Sequence, residues 1–167
     1  MIKNRVVALG LFLFAAFFLS ASGHTYSPDE ESLLYVTKAF ATRGEFDIPS
    51  PEDYPVTGGS YGTNGKLYAG SGMAQSLMVL PLYVIADRFA DTFDSHFHAY
   101  ILRLVVVSFF NSLLGAATGM LLYAWAKRLG VSTRAALALV LLWAFGTLTW
   151  VYVRTFFTET LIALAFV

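Results

Sequence analysis

Long uncharged apolar runs alternate with polar stretches along the chain. Three of these runs have the length of a membrane span: Val6 to Gly23 with 18 residues, Leu104 to Ala126 with 23, and Ala135 to Val153 with 19. A helix needs about 20 mostly apolar residues to cross a bilayer, with about 17 as the lower limit. The pattern therefore predicts three transmembrane helices. A further apolar run after Glu159 predicts the start of a fourth at residue 160, as expected for the N-terminal part of a longer membrane domain.

The first apolar run is open to two interpretations. Lys3 and Arg5 precede it, and small residues at Ser20-Ala21-Ser22 follow its apolar part, which is the arrangement of a secretory signal peptide. The same run is also long enough for a membrane span. Because further spans follow it, we favour an uncleaved first transmembrane helix with a cytoplasmic N-terminus.

The charges in the loops predict the orientation of these spans. The link between the second and third runs carries the bases Lys127, Arg128 and Arg134 and no acid, so the positive-inside rule places it in the cytoplasm. Ten of the 11 acidic residues lie between Asp29 and Asp94. These acids then fall in one large loop on the extracytoplasmic side.

A fourth apolar segment, Met73 to Ala86, is too short for a typical span. It has 14 residues and contains Pro81, and apolar segments of about 10–14 residues more often lie at the interface than cross the bilayer. If it crossed, the basic link would lie outside, against the charge rule. We therefore expect a juxtamembrane helix within an outer loop from about residue 24 to 98. The predicted fold class is all-α: a polytopic transmembrane helical protein with a large extracytoplasmic first loop containing juxtamembrane helices.

Within this loop, one further helix and one irregular segment are predicted. Pro28 followed by three acids is typical of a helix start, because proline fits the first turn and acids there favour the helix dipole. We expect the helix to run to about Thr42 and to end at Arg43-Gly44. Asp47 to Gly72 is rich in Pro, Gly, Ser, Asn and Tyr, which indicates irregular structure. In the second span, Gly115-x-x-x-Gly119 indicates close helix packing.

Composition supports the membrane interpretation and excludes other classes. The 167 residues are 57% hydrophobic and only 13% charged, against roughly 25% charged in an average soluble domain. The net charge is zero and there is no cysteine. These values exclude a disordered chain, a basic nucleic-acid-binding protein and a disulfide-stapled secreted domain.

Five polar residues near the outer membrane surface are candidates for chemistry. Asp29 or Glu30 is suited to act as a general base on an extracytoplasmic acceptor, or is simply part of an acidic helix start. Lys66 is suited to bind phosphate as a point charge, or is a solvated loop lysine. Arg103 and Glu159 lie at the predicted outer ends of spans, where a charged side chain also serves to reach the interface.

No metal or cofactor is predicted. His96 and His98 form an HxH pair, a spacing found in metal sites, but the sequence offers no third ligand nearby. The glycine-rich stretch at residues 58–62 matches no phosphate-binding loop.

These elements occur in a characteristic order over essentially the whole chain. In chain order they are Pro28-Asp29-Glu30, Phe40-Ala41-Thr42-Arg43-Gly44-Glu45-Phe46-Asp47-Ile48-Pro49, Gly65-Lys66-Leu67-Tyr68-Ala69-Gly70, Gln75-Ser76-Leu77, Leu80-Pro81-Leu82-Tyr83, Arg103 with Asn111, Lys127-Arg128-Leu129-Gly130, and Phe156-Phe157-Thr158-Glu159. In this order they resemble the membrane-embedded C-type glycosyltransferases, notably the aminoarabinose transferases of lipid A and the protein O-mannosyltransferases.

The resemblance implies a function and roles for the candidates. It implies transfer of a sugar from a polyprenyl-phosphate-linked donor to an extracytoplasmic lipid, glycan or protein, by a multi-pass protein of the inner (plasma) membrane. The family's catalytic aspartate falls on Asp29 with Glu30 beside it, its phosphate-binding lysine on Lys66 and its second outer acid on Glu159, while Arg103 joins the lipid-phosphate contacts. Many bacterial relatives have a second lysine where this sequence has Gly70, so the contact of a loop lysine with the phosphate depends on Lys66 alone.

Two other functions remain open from the sequence. A transporter or permease subunit would place ionisable or broken-helix features at mid-bilayer, whereas the second and third predicted spans contain no ionisable residue. A non-catalytic envelope-assembly protein would use Asp29 only as a helix start. No nucleic-acid partner is expected for any of the three.

Overall fold

The computed structural model describes residues 2–48, 59–70 and 72–167, and most of this part of the chain is helical, as predicted. The helices are α1 (Ile2–Ser20), α2 (Pro28–Arg43), α3 (Ala74–Ala90), α4 (Ser95–Arg128), α5 (Thr133–Gly146), α6 (Thr149–Tyr152) and α7 (Glu159–Ala165). Three short strands lie between α2 and α3: β1 (Asp47–Ile48), β2 (Gly59–Tyr61) and β3 (Leu67–Ala69).

The chain forms two compact units. The first combines the residues before and including Gly23 with Val107–Val167, and the second is His24–Val106. The second unit corresponds closely to the stretch from 24 to 98 that the sequence predicts as one outer loop.

Helix α2, in the second unit, begins and ends where the sequence predicts. The Ser27 hydroxyl accepts a hydrogen bond from the Glu30 N–H at 3.4 Å, and the Glu30 carboxylate accepts one from the Ser27 N–H at 3.0 Å, which together form a capping box. At the other end, Gly44 adopts φ 69°, a left-handed conformation that glycine accepts without strain, and its N–H donates to the Phe40 carbonyl. The predicted helix signals are confirmed.

The apolar segment from Met73 is also helical, as α3, and it packs on α2. Ser76 is buried, and its hydroxyl donates a hydrogen bond to the Leu33 carbonyl of α2 at 3.0 Å. Pro81 lies inside α3 without ending it.

The segment predicted to be irregular instead contains a small antiparallel sheet with strand order β1-β3-β2. Tyr68 pairs with Asp47 on one side and with Ser60 on the other. Leu67 is buried together with residues of α2 and β1. The strands are therefore stabilised by contacts with distant residues, which the amino-acid composition of the segment does not reveal. Residues 49–58 and 71 of the predicted irregular segment lie outside the described residues.

The first unit is built on close contact between α1 and α4. Leu13 and Phe17 of α1 are fully buried in its core. A Cβ atom on Gly119 would lie 2.4 Å from Leu13 Cδ1, and one on Gly115 would lie 3.0 Å from the Phe17 ring. The close helix packing predicted from the GxxxG spacing is confirmed.

Only part of the predicted membrane pattern is found. Among the described residues one helix, Phe97–Arg128, is long and apolar enough to span a membrane, while the apolar helices at 4–20 and 133–146 are shorter. The helix predicted from Ala135 to Val153 is interrupted after Gly146, where the Thr147 hydroxyl bonds the Trp143 carbonyl at 2.7 Å and accepts from the Thr149 N–H. A side chain that bonds local backbone in this way competes with helix continuation.

Candidate functional site

Three consecutive acids at the start of α2 have three different surroundings. Asp29 is exposed, and its carboxylate has neither an ion pair nor a hydrogen bond to any described residue. Glu30 is fully buried, and its Oε2 accepts hydrogen bonds from the Tyr26 and Ser27 N–H groups at 2.5 and 3.0 Å. Glu31 is partly buried and pairs with Arg103. Sequence alone does not separate the three, whereas the helix geometry does.

The Glu30 carboxylate is therefore a helix cap, and it also fixes the position of its neighbours. Residues around an α-helix are about 100° apart, so turning Glu30 inward to cap the helix directs Asp29 and Glu31 to other sides. The assignment of Glu30 as a catalytic residue stays a prediction. The geometry gives it a structural role of its own.

Arg103 forms an ion pair with Glu31 and lines a small cavity. Its guanidinium lies 3.1 Å from Glu31 Oε2, and the hydroxyl of Thr25 donates to the other oxygen of Glu31. The cavity beside this pair has a volume of about 100 Å³. Its lining comprises Glu31, Leu34, Tyr35, Lys38, Tyr83, Ala99, Leu102 and Arg103.

Lys66 lies in a separate cluster of charges at the sheet. Its ammonium group is 3.1 Å from Glu45 Oε2 and 3.5 Å from Asp47 Oδ2, and Arg43 binds the other Asp47 oxygen at 3.2 Å. The hydrogen bond to Glu45 raises the pKa of Lys66 above its ordinary value. Burial alone would raise the pKa of Asp47, but the hydrogen bond from Arg43 and the charge of Lys66 outweigh it, so that pKa is lowered. Lys66 is thus a fully charged lysine with carboxylate partners.

Glu159 belongs to the first unit and lines a cavity of about 330 Å³. Aromatic and hydroxyl side chains dominate the rest of the lining, which comprises Trp143, Thr147, Leu148, Thr149, Tyr152, Thr160 and Ala163. The Glu159 side chain is exposed. A carboxylate beside aromatic rings and hydroxyl groups is suited to hydrogen-bond a small polyol.

The structure brings together only some of the candidate residues. Asp29, Glu30, Lys66 and Arg103 all belong to the second unit, whereas Glu159 belongs to the first. Within the second unit, Asp29 is not among the residues lining the Arg103 cavity, and Lys66 lies with Glu45 and Asp47. The sequence reasoning missed Glu31 as the ion-pair partner of Arg103 and Lys38 as a second cation of the same cavity. The available signal was their spacing of seven on one helix, which places both on the same face.

A further contact joins His98 to Asp87 of α3 and to Asp91, the residue that follows α3. Its Nε2 lies 3.3 Å from Asp87 Oδ1 and 3.1 Å from Asp91 Oδ1. Within the ranges that the structure describes, no group of three or more His, Asp or Glu side chains is arranged to hold a metal ion. The side chain of His96 lies outside the described residues.

Comparisons with known proteins add no relative to this picture. No protein-family model, no curated protein and no solved structure matches this chain. The geometry of the sites and the order of the sequence motifs are therefore the basis for a proposal about function.

Proposed function

We propose that this chain is part of a glycosyltransferase that moves a sugar from a polyprenyl-phosphate-linked donor to an extracytoplasmic acceptor, with Asp29 as the general base. The observation that supports the proposal best is the surroundings of Asp29. A general base must reach the proton that it removes and must not be neutralised by a partner. Of the three adjacent acids, Asp29 is the one with an exposed carboxylate and no described partner.

In the proposed reaction, the Asp29 carboxylate takes the proton of an acceptor hydroxyl. The acceptor oxygen then attacks the anomeric carbon of the sugar, and the bond between that carbon and the phosphate oxygen breaks. Polyprenyl phosphate leaves with the bonding electron pair. Because the leaving group is already a stabilised phosphate, the enzyme has mainly to position the two substrates and remove one proton.

The other candidate residues have subordinate places in this proposal. Lys66 would have to exchange a carboxylate partner, Glu45 or Asp47, for the donor phosphate. Arg103, already paired with Glu31, is a further cation suited to a lipid phosphate. For Glu159 we propose a contact with sugar hydroxyls, because its cavity combines a carboxylate with aromatic and hydroxyl side chains.

The membrane setting belongs to the proposal too. A helix long and apolar enough to cross a bilayer supports membrane association. We propose a multi-pass protein of the plasma membrane whose acidic second unit is extracytoplasmic, where a lipid-linked donor and an outer acceptor would meet. A transporter subunit or a non-catalytic assembly protein would share the membrane location but not the transfer reaction.

The test is sugar transfer by Asp29→Asn in membranes that contain the complete protein. Radiolabelled polyprenyl-phosphate mannose and polyprenyl-phosphate aminoarabinose serve as separate donors. Asn keeps the size of the side chain but cannot take a proton, so transfer should fall at least about 100-fold, within the roughly 10²–10⁴-fold contribution of a general base. Asp94→Asn, an exposed acid of the same unit, is the matched control and should transfer at the native rate. Equal rates for the two variants would overturn the assignment of Asp29, and absence of transfer from either donor by the native protein would count against these two sugars.

A further inference from the structure

The cavity beside Arg103 combines two cations from two helices. Glu31, Leu34, Tyr35 and Lys38 line it from α2 with spacings of three, four and seven, so they form one helix face. Ala99, Leu102 and Arg103 line it from α4 with spacings of three and four. The site is therefore built by regular helix faces rather than by a loop.

Charge in this cavity is unbalanced. Lys38 and Arg103 contribute two positive charges, and Glu31 contributes one negative charge. Glu31 already binds Arg103, whereas the Lys38 side chain is exposed and has no ion pair among the described residues. The net charge of the lining is therefore positive, which favours an anion.

Hydrogen-bond donors in the lining suit a tetrahedral oxyanion. A guanidinium offers five N–H donors in a planar fork, of which a single Glu31 oxygen occupies only part, and an ammonium group offers three more. Tyr83 is 3% exposed. Burial raises the pKa of its phenol, so Tyr83 remains a neutral donor. The cavity has a volume of about 100 Å³, and since about 10–15 Å³ on this measure already holds a water molecule, it admits a phosphate group.

The surroundings of the cavity point to a lipid as the source of the phosphate. Arg103 lies near the start of Phe97–Arg128, the described helix that is long and apolar enough to span a membrane. A cationic side chain near the end of such a helix lies at the depth of the phospholipid headgroups. The cationic cavity that Arg103 lines is therefore at headgroup depth when this helix crosses the bilayer.

We infer that Lys38 and Arg103 form a binding site for a phosphate group, presented by the headgroup of an anionic phospholipid, in which Glu31 competes with the ligand for Arg103. This site is separate from the proposed catalytic base. Asp29 precedes Glu31 by two positions, about 200° around the helix, and it does not line the cavity. Lys66 remains the cation proposed for the donor phosphate, so the inference and the proposed function can fail separately.

Native mass spectrometry of the detergent-solubilised protein tests the site. The probes are phosphatidylglycerol and diacylglycerol with the same acyl chains, which differ in the phosphate headgroup. The native protein should retain phosphatidylglycerol in preference to diacylglycerol. Lys38→Gln and Arg103→Gln should each weaken its binding about tenfold, which is the effect of losing one charged hydrogen bond. Arg88→Gln, an exposed cation of α3, should bind as the native protein does.

Further variants separate binding from folding and identify the source of the phosphate. Arg103→Gln removes an ion pair and can destabilise the unit, whereas Lys38 is exposed, so Lys38→Gln tests the site in a folded protein. Glu31→Gln removes the competing carboxylate and should bind phosphatidylglycerol more tightly; weaker binding would contradict the competition. Displacement of the lipid by added inorganic phosphate would extend the ligand to free phosphate, and failure to displace it would restrict the ligand to the headgroup. Equal retention of both lipids by the native protein, or native affinity in both Lys38→Gln and Arg103→Gln, would overturn the site.

Discussion

Backbone geometry at the start of α2 assigns different tasks to side chains of the same chemical type. Asp29, Glu30 and Glu31 are adjacent carboxylates, yet one is exposed, one caps the helix and one holds an arginine. The helix cap determines which of the three acids turns inward, because the Tyr26 and Ser27 N–H groups need an acceptor and Glu30 provides it. At the residue scale, a test of the catalytic role proposed for Asp29 therefore has to distinguish it from the structural role of Glu30.

Variants of Glu30 measure its structural role directly. Replacing it by alanine leaves the partly buried Tyr26 and Ser27 N–H groups without their acceptor, and loss of a helix cap costs about 0.5–2 kcal/mol. The apparent melting temperature of Glu30→Ala in detergent should fall by several degrees, at about 2–4 °C per kcal/mol for a chain of this size. Glu30→Gln retains a carbonyl oxygen for both donors and should melt closer to the native protein.

Sugar transfer by the same two variants distinguishes a cap from a catalytic group. If Glu30 acts only by capping α2, Glu30→Gln should keep most of the transfer activity that Asp29→Asn loses. A 100-fold loss in a Glu30→Gln protein that melts normally would instead give Glu30 a direct part in the reaction. Asp94→Asn, at an exposed acid, keeps a side chain suited to the start of α4 and should leave both measurements unchanged.

At the scale of elements, helix α2 was predictable and the sheet was not. Helix α2 carries its own signals: a proline and three acids at the start, and Arg43-Gly44 at the end. The strands have two or three residues each, too short for an alternating pattern to emerge. Their stability comes from Leu67 packing against Val36 and Ile48, which are distant in sequence. Gly65 at φ 75° in the turn before β3 was the one local hairpin signal.

Contacts between side chains of different helices could not be predicted from the sequence either. Arg103 was predictable as a charge near the end of an apolar run, but its pairing with Glu31 joins residues 72 positions apart. The interruption after Gly146 was also missed, since hydropathy averages over the Thr147 hydrogen bonds that end α5. The hydrophobic and polar pattern therefore predicted the types of element and the candidate residues. Which of these residues contact one another could be learned only from the structure.

The close approach of α1 and α4 predicts unequal effects of alanine at two glycines. A Cβ on Gly115 would lie 2.7 Å from Val153 Cγ1 and 3.0 Å from the Phe17 ring, and both of these side chains are fully buried. A β-branched valine and a ring have little freedom to move away, so Gly115→Ala should cost about 1–3 kcal/mol through overpacking. The three atoms nearest to a Cβ on Gly10 all belong to the Met120 side chain, which is flexible and adapts easily.

Thermal unfolding in detergent measures this difference. Gly115→Ala should melt several degrees below the native protein, and Gly10→Ala should remain close to it. Both substitutions also improve helix propensity by the same amount, so the comparison isolates packing. An equal melting temperature for the two variants would show that α1 is not held tightly against Gly115.

At the scale of the whole molecule, composition and charge carried the prediction further than any single motif. The shortage of charged residues and the apolar runs indicated membrane helices, and one described helix has the necessary length and hydropathy. The separation of acids from apolar runs matches the division of the chain at Gly23 and Val106. Which side of the membrane each loop faces depends on the basic residues of the loops rather than on helix packing, and this orientation can be tested directly.

The absence of cysteine from the sequence allows single introduced cysteines to report sidedness. Thr63 is exposed in the turn between β2 and β3, and Leu129 is 75% exposed between α4 and α5. Ser132, in the same link, is unsuitable for substitution because its hydroxyl caps α5. A membrane-impermeant maleimide should label Thr63→Cys in intact cells and Leu129→Cys only after permeabilisation, since the bases beside Leu129 favour the cytoplasm. Labelling of Leu129→Cys in intact cells would mean that the segment from Met73 crosses the membrane, and the proposed outer unit, with Asp29 in it, would lose its basis.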